Sequence, residues 1–229
     1  MISMTDASQV AFLFDVDNTL LDNDRVIDDL RRHLATAFGE QEQAHYWKLF
    51  DSLQEELGYA DYLGALQQYR CENPQDPHFL KLSLFLLDYK FDERLLPHAL
   101  DVVAYCGKFG TVAIVSDGDV VFQPRKIERS ELLAAVEGHV LVYIHKEDDL
   151  ADIERHFPAR HYVFFDDTPR VLTAAKSHWR DRVTTVFVRQ GRHAHNPDNV
   201  NPFPKADVTL ERIGDLLLPD FRQLFERMA

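Results

Sequence analysis

Short runs of β-branched and aromatic residues, separated by helical stretches, narrow the folds open to this chain. The runs are 10–14 (VAFLF), 111–115 (TVAIV), 140–144 (VLVYI), 162–165 (YVFF) and 183–188 (VTTVFV). A strand that is apolar at successive positions is buried on both faces, as strands of parallel sheets are. Helical spacing of apolar residues fills the gaps after Pro97, at 98–106, 123–136, 147–156 and 169–178. Pro169 falls in the first turn of the last, where a missing N–H costs nothing. A loop rich in Asn, Pro and His, a short strand near 207–209 and one or two closing helices end the chain. Strands alternating with helices predict an α/β protein of three layers around a parallel sheet.

Residues 22–95 have a different texture. Ile27, Leu30, Leu34 and Phe38 recur at helical spacing up to Gly39. Tyr46, Leu49, Phe50, Leu53 and Leu57 repeat it up to Gly58. Tyr59, Tyr62, Leu63, Leu66 and Tyr69 predict a third helix, broken by Asn73, Pro74 and Pro77. Phe79, Leu82, Phe85, Leu86 and Tyr89 predict a fourth. The segment reads as an all-helical cap (22–95) inserted after the first strand of a core made of 1–21 and 96–229.

The chain has 229 residues and a formal charge of −13, with 45% hydrophobic residues. That length buries a core readily. No apolar run reaches a membrane span, and MISMTDASQ lacks the basic-then-apolar order of a leader. Two cysteines, Cys71 and Cys106, fit a reducing cytoplasm. The acidic balance speaks against nucleic acid as a partner. It is uneven: residues 22–95 hold fifteen acids and eight bases.

Ligands of open α/β sheets bind outside the carboxyl ends of the strands. Four runs here end in reactive side chains: Asp15-Val16-Asp17-Asn18-Thr19, Ser116-Asp117-Gly118, His145-Lys146 and Asp166-Asp167-Thr168. Clustered carboxylates repel unless they are protonated or hold a cation, and oxygen ligands meeting phosphate favour Mg²⁺. A carboxylate beside such an ion can attack phosphorus. A second, two residues on, can protonate the leaving oxygen and then activate water. Ser116 and Lys146 would hold and neutralise the transferring group. Lys126, in a helical stretch, is the rival lysine, with a solvated surface position as its ordinary reading. Asp117 and Asp119 read as loop and helix-start residues, His193 and His195 as loop residues without metal partners, and Gly191 as a turn.

The ordered set FLFDVDNTL, AIVSDGD, IHKE and YVFFDD resembles the haloacid dehalogenase-like hydrolase superfamily over essentially the whole chain. The resemblance implies a Rossmann-like core with a helical cap, in a phosphatase-type member. Asp15 would then be the nucleophile and Asp17 the general acid/base. Ser116, Asp117 and Lys146 would meet phosphate. Asp15, Asp17 (through its carbonyl), Asp166 and Asp167 would form the Mg²⁺ site. The fourth motif departs from a common Gly-Asp form, since Phe165 precedes Asp166. The implied reaction is Mg²⁺-dependent hydrolysis of a small phosphorylated metabolite by a cytoplasmic monomer or homodimer, with no nucleic acid and no membrane involved. The alternatives are a phosphoryl mutase, a dehalogenase, or a non-catalytic protein that keeps the fold.

Overall fold

A computed structural model describes residues 8–221. The N-terminal stretch 1–7 and any second closing helix lie outside the described residues.

Six strands form one parallel sheet: β1 (Ser8–Phe14), β2 (Thr111–Asp117), β3 (Val140–Tyr143), β4 (Ala159–Asp166), β5 (Val183–Val188) and β6 (Val208–Leu210). Their order is β3-β2-β1-β4-β5-β6. Phe12 lies opposite Val112 on one side and Val163 on the other. Successive residues of β1 feed opposite faces. Val10, Phe12 and Phe14 join one buried cluster, and Ala11 and Leu13 join the other. This is the physical meaning of the unbroken apolar run: both faces are covered.

The first face is covered by α5 (Ala99–Cys106), α6 (Phe122–Arg129) and α7 (Leu132–Ala135). The second is covered by α8 (Leu150–His156) and α9 (Pro169–Trp179). Between β1 and β2 come α1 (Asn23–Phe38), α2 (Glu40–Leu57), α3 (Tyr62–Glu72), α4 (Phe79–Leu87) and a 3₁₀ turn, Phe91–Arg94. Gly39 and Gly58 end α1 and α2 with φ of 92° and 80°, values glycine adopts without strain. The stem of the insertion closes through Leu96 N–H to Leu20 O and Asp22 N–H to Arg94 O. The inserted helices rest on the core where Tyr62 and Phe91 pack on Phe122, with ring centroids at 4.9 and 5.6 Å.

Four expectations are corrected. The helix expected over 123–136 is two helices. Ser130 returns its hydroxyl to Ile127 O, and Glu131 takes a left-handed φ of 66°, so the chain turns between α6 and α7. The helix expected from 147 starts as a 3₁₀ turn, Lys146–Asp148, before α8. The loop after β5 contains two short helices, α10 (Gly191–His195) and α11 (Pro197–Val200). Its proline and Asn196 start α11: Asn196 accepts from the Asp198 N–H. The first closing element is a 3₁₀ turn, Ile213–Leu217.

Candidate active site

The site grows from the strand order. β1 lies between β2 and β4, so the chain crosses over at β1, and the carboxyl ends of β1 and β4 flank the crevice where ligands of such sheets bind. Phe14 and Phe165 stack at 4.3 Å, and the Asp15 N–H donates to Phe165 O at 2.9 Å. The residues after these phenylalanines, Asp15 and Asp166, are thereby held side by side.

Lys146 enters from the loop after β3. Its ammonium is 2.5 Å from Asp15 Oδ1 and 2.8 Å from Asp166 Oδ2. Its Nζ also lies 3.4 Å from the Val115 carbonyl. The loop is fixed by Asp117, whose Oδ1 accepts from the Lys146 N–H at 2.7 Å. A carboxylate in that position attracts no anion, so the Asp117 side chain serves to place Lys146. Ser116 ends the buried part of β2, and its Oγ accepts from Gln123 Nε2 at 2.8 Å.

Asp15, Asp166 and Asp167 are all buried, with carboxylate oxygens within 4.8 Å of one another. Burial raises the pKa of all three: it pushes Asp15 up to about 7 and Asp167 well above the ordinary carboxylate range. Lys146 pulls Asp15 and Asp166 down, while the neighbouring acids push Asp15 and Asp167 further up. Burial opposes the charge on Lys146, yet Asp15, Asp166 and Asp117 outweigh it and raise its affinity for the proton. Asp166 Oδ2 has the ion pair with Lys146 but accepts no hydrogen bond of good geometry. Three buried hard oxygens with an unfilled lone pair suit a small divalent cation. The residues present therefore fit Mg²⁺.

The Asp17 carboxylate lies outside that trio. Both of its oxygens are on the Lys126 ammonium, at 2.7 and 2.8 Å. Any Asp17 contribution to a metal thus falls to its backbone carbonyl. Lys126 is buried, which corrects the expectation of a solvated lysine. Its third partner is Asn23 Oδ1 at 3.0 Å. The helix explains the placement: Phe122, Gln123, Lys126 and Ile127 form the buried face of α6. That spacing was the available signal, a polar pair set between two apolar residues on one face.

Asp119 falls at a helix start, as the sequence predicts, whereas Asp117 ends β2 and Gly191, His193 and His195 lie in α10 rather than in a loop. Asp119 Oδ1 accepts from the N–H groups of Val121 and Phe122 at the start of α6. His193 pairs with Asn199, and neither His193 nor His195 joins a metal-competent group among the described residues. Gly191, with φ of 75°, packs where a Cβ would lie 2.6 Å from Asn18 Cγ. Sequence reasoning missed Asn18. Its left-handed φ of 57° turns the chain, and its Oδ1 accepts from the N–H groups of Asn23 and Asp24 at the start of α1.

The sheet order and the carboxylate-lysine centre define a hydrolase of one family. The chain belongs to the haloacid dehalogenase-like hydrolases, whose family model matches residues 10–178. A protein described as a haloacid dehalogenase-like hydrolase, from Burkholderia xenovorans LB400, is 56% identical with a TM-score of 0.87, over 91% of this chain and 97% of that one. The L-2-haloacid dehalogenase of Xanthobacter autotrophicus shares the fold at 18% identity and a TM-score of 0.60, over 96% and 99%. A HAD-hydrolase of Bacillus subtilis bound to magnesium does so at 14% and 0.59, over 91% and 96%. No curated protein matches the chain. No helix among the described residues is long and apolar enough to cross a membrane.

Proposed function

We propose that this hydrolase cleaves a small phosphate monoester through an aspartyl-phosphate on Asp15, with Mg²⁺ as its cofactor. The observation that carries the reading is the pairing of a three-carboxylate centre with a fourth carboxylate, Asp17, two residues beyond the first. Capture of a halide-leaving substrate needs a nucleophilic carboxylate and a cation beside it; it needs neither the buried trio nor the second acid. The covered site also supports a small substrate. Tyr62 packs down on Phe122, and His145 lies against Gly58, where a Cβ would be 2.5 Å from its Cε1.

The roles follow from position. Lys146 neutralises Asp15 in the resting state and is placed to share its charge with the transferring oxygens. Gln123 donates to Ser116 Oγ, and the hydroxyl itself donates only a long 3.5 Å bond to the Asp117 carbonyl, one it can exchange for phosphate. Asp15 attacks phosphorus, and the bond to the ester oxygen breaks. Asp17 gives that oxygen a proton, then takes one from the water that attacks phosphorus and releases Asp15. Asp15, Asp166 and Asp167 would hold Mg²⁺, whose charge stabilises the phosphoryl oxygens when it is bound. The inserted helices exclude bulk water between the two halves of the reaction.

The test is phosphate release from nucleotides, sugar phosphates and small phospho-acids, with Mg²⁺ and with chelator. Metal-dependent release by the natural protein and none by Asp15→Asn is the expected result. Equal release by both proteins would overturn the mechanism.

A further inference from the structure

The cation held against the proposed acid/base is Lys126, a residue the mechanism above does not use. Its side chain is 1% exposed, while that of Asp17 is 31% exposed. Its three ammonium protons face three oxygens, two of Asp17 and one of Asn23, at 2.7, 2.8 and 3.0 Å. The Phe122 ring lies 5.4 Å from the same nitrogen. Burying a lysine with a single carboxylate costs desolvation energy that the attraction only roughly repays. A methionine would fill the space without that cost, so packing alone does not explain the charge.

The partners come from separate parts of the molecule. Asp17 follows β1, Lys126 is on α6, and Asn23 opens α1, the first helix of the insertion. Asn23 is fixed in turn by its N–H bond to Asn18 Oδ1 at 3.0 Å and by a side-chain hydrogen bond with Tyr62 of α3. A continuous line of contacts thus runs from the Asp17 carboxylate, through one ammonium, to two inserted helices.

We propose that Lys126 is a positioning residue that holds the Asp17 carboxylate in one orientation and, through Asn23, ties that orientation to the seating of the inserted helices. The proposal rests on the reading of Asp17 as acid/base. Both Asp17 oxygens are engaged by Lys126, so the carboxylate cannot swing freely between leaving group and water. Displacement of the inserted helices removes Asn23 from the ammonium and loosens that hold. Proton transfer is thereby matched to the covered site.

The test is a mutant cycle on the full chain with Mg²⁺, using the phosphate ester most active in the panel. Acid/base assistance contributes roughly 100- to 10,000-fold, so loss of its alignment in Lys126→Met should cut kcat about 10- to 100-fold with KM within about twofold. In an Asp17→Asn background the same substitution should change kcat by less than about twofold, because Lys126 acts only through Asp17. Asn23→Ala, which leaves both charged groups in place, should lower kcat severalfold and likewise lose its effect in Asp17→Asn. Effects that multiply independently of Asp17, or that fall on KM and melting temperature alone, overturn the proposal.

A second measurement holds whatever the substrate is. In protein labelled with ¹⁵N at lysine Nζ, a buried ion-paired ammonium exchanges slowly and gives a visible resonance. The Lys126 signal should be present in the natural protein and shift or vanish in Asp17→Asn. A Lys126 signal indifferent to Asp17→Asn overturns the proposal. A Lys126 signal that responds, in a protein inert toward every ester, supports the coupling and places the failure in the phosphatase reading.

Discussion

The substitution Asp167→Asn is expected to stabilise the metal-free protein while removing its response to Mg²⁺. The carboxylate oxygens of Asp15, Asp166 and Asp167 lie within 4.8 Å of one another. At that separation each charged pair repels by about 3.5 kcal/mol at an effective dielectric near 20. Lys146 offsets Asp15 and Asp166, but among the described residues no ion pair offsets Asp167. Asp167 therefore faces two repulsions, together on the order of 7 kcal/mol, which the more distant charge of Lys146 offsets in part. Retaining a proton sheds part of it, since burial first, and then Asp15 and Asp166, push this carboxyl upward. The carbonyl of the new amide would keep the hydrogen bond that Thr168 Oγ1 now gives Asp167 Oδ1 at 3.0 Å. Allowing for the proton, a net gain of about 1–2 kcal/mol is expected, or roughly 2–8 °C in Tm for a chain of this size. Thermal denaturation in chelator and in Mg²⁺ reads both effects. Mg²⁺ at about a hundred times its Kd should stabilise the natural protein by about 2.7 kcal/mol. Asp167→Asn should lose most of that shift. A variant that melts below the natural protein in chelator, yet keeps the full Mg²⁺ shift, would show that neither repulsion nor metal binding works through this carboxylate.

Three further outcomes are expected. Burial raises the Asp29 carboxyl, but the Tyr89 hydroxyl, Arg94 and Arg32 outweigh it, so its folded value lies below the ordinary one. Its stabilisation is complete above the unfolded value of 3.8 and is lost as pH falls through the folded one. Asp29→Asn should cost about 1–3 kcal/mol near neutral pH and flatten that acid limb in urea titrations; unchanged acid sensitivity would count against it. Gly58→Ala forces a side chain into a left-handed φ and against His145, and should cost about 1 kcal/mol or more by denaturant unfolding, partly restored by adding His145→Ala. Gln123→Leu removes the donor to Ser116 Oγ and should lower kcat/KM roughly fivefold, the equivalent of about 1 kcal/mol, with the fold intact by circular dichroism.

The sheet was legible because strands buried on both faces leave continuous apolar runs, and Val10 to Phe14 is such a run. The acids at the strand ends were legible because parallel order brings successive carboxyl ends to one rim, as it does for Asp15, Ser116 and Asp166. What local pattern could not reveal was direction. Lys126 sits in a helix where surface lysines are common, and only the tertiary packing of α6 turns it inward. Asp117 follows Ser116 like a phosphate neighbour, but its carboxylate is turned onto the Lys146 amide. The break at Ser130 and Glu131 left no glycine or proline signal. It arises from a side chain competing for a backbone carbonyl and from a left-handed residue set by context.

The mechanism requires that Asp15 is phosphorylated and that water then attacks phosphorus. Turnover of the preferred ester in ¹⁸O-labelled water, followed by mass spectrometry of the released phosphate and of the peptide carrying Asp15, reads both steps. Label in the phosphate, with the Asp15 carboxylate unlabelled after many turnovers, is the expected result. Label accumulating in the Asp15 carboxylate means that water attacked the carboxyl carbon of Asp15, as in dehalogenation, and contradicts attack on phosphorus.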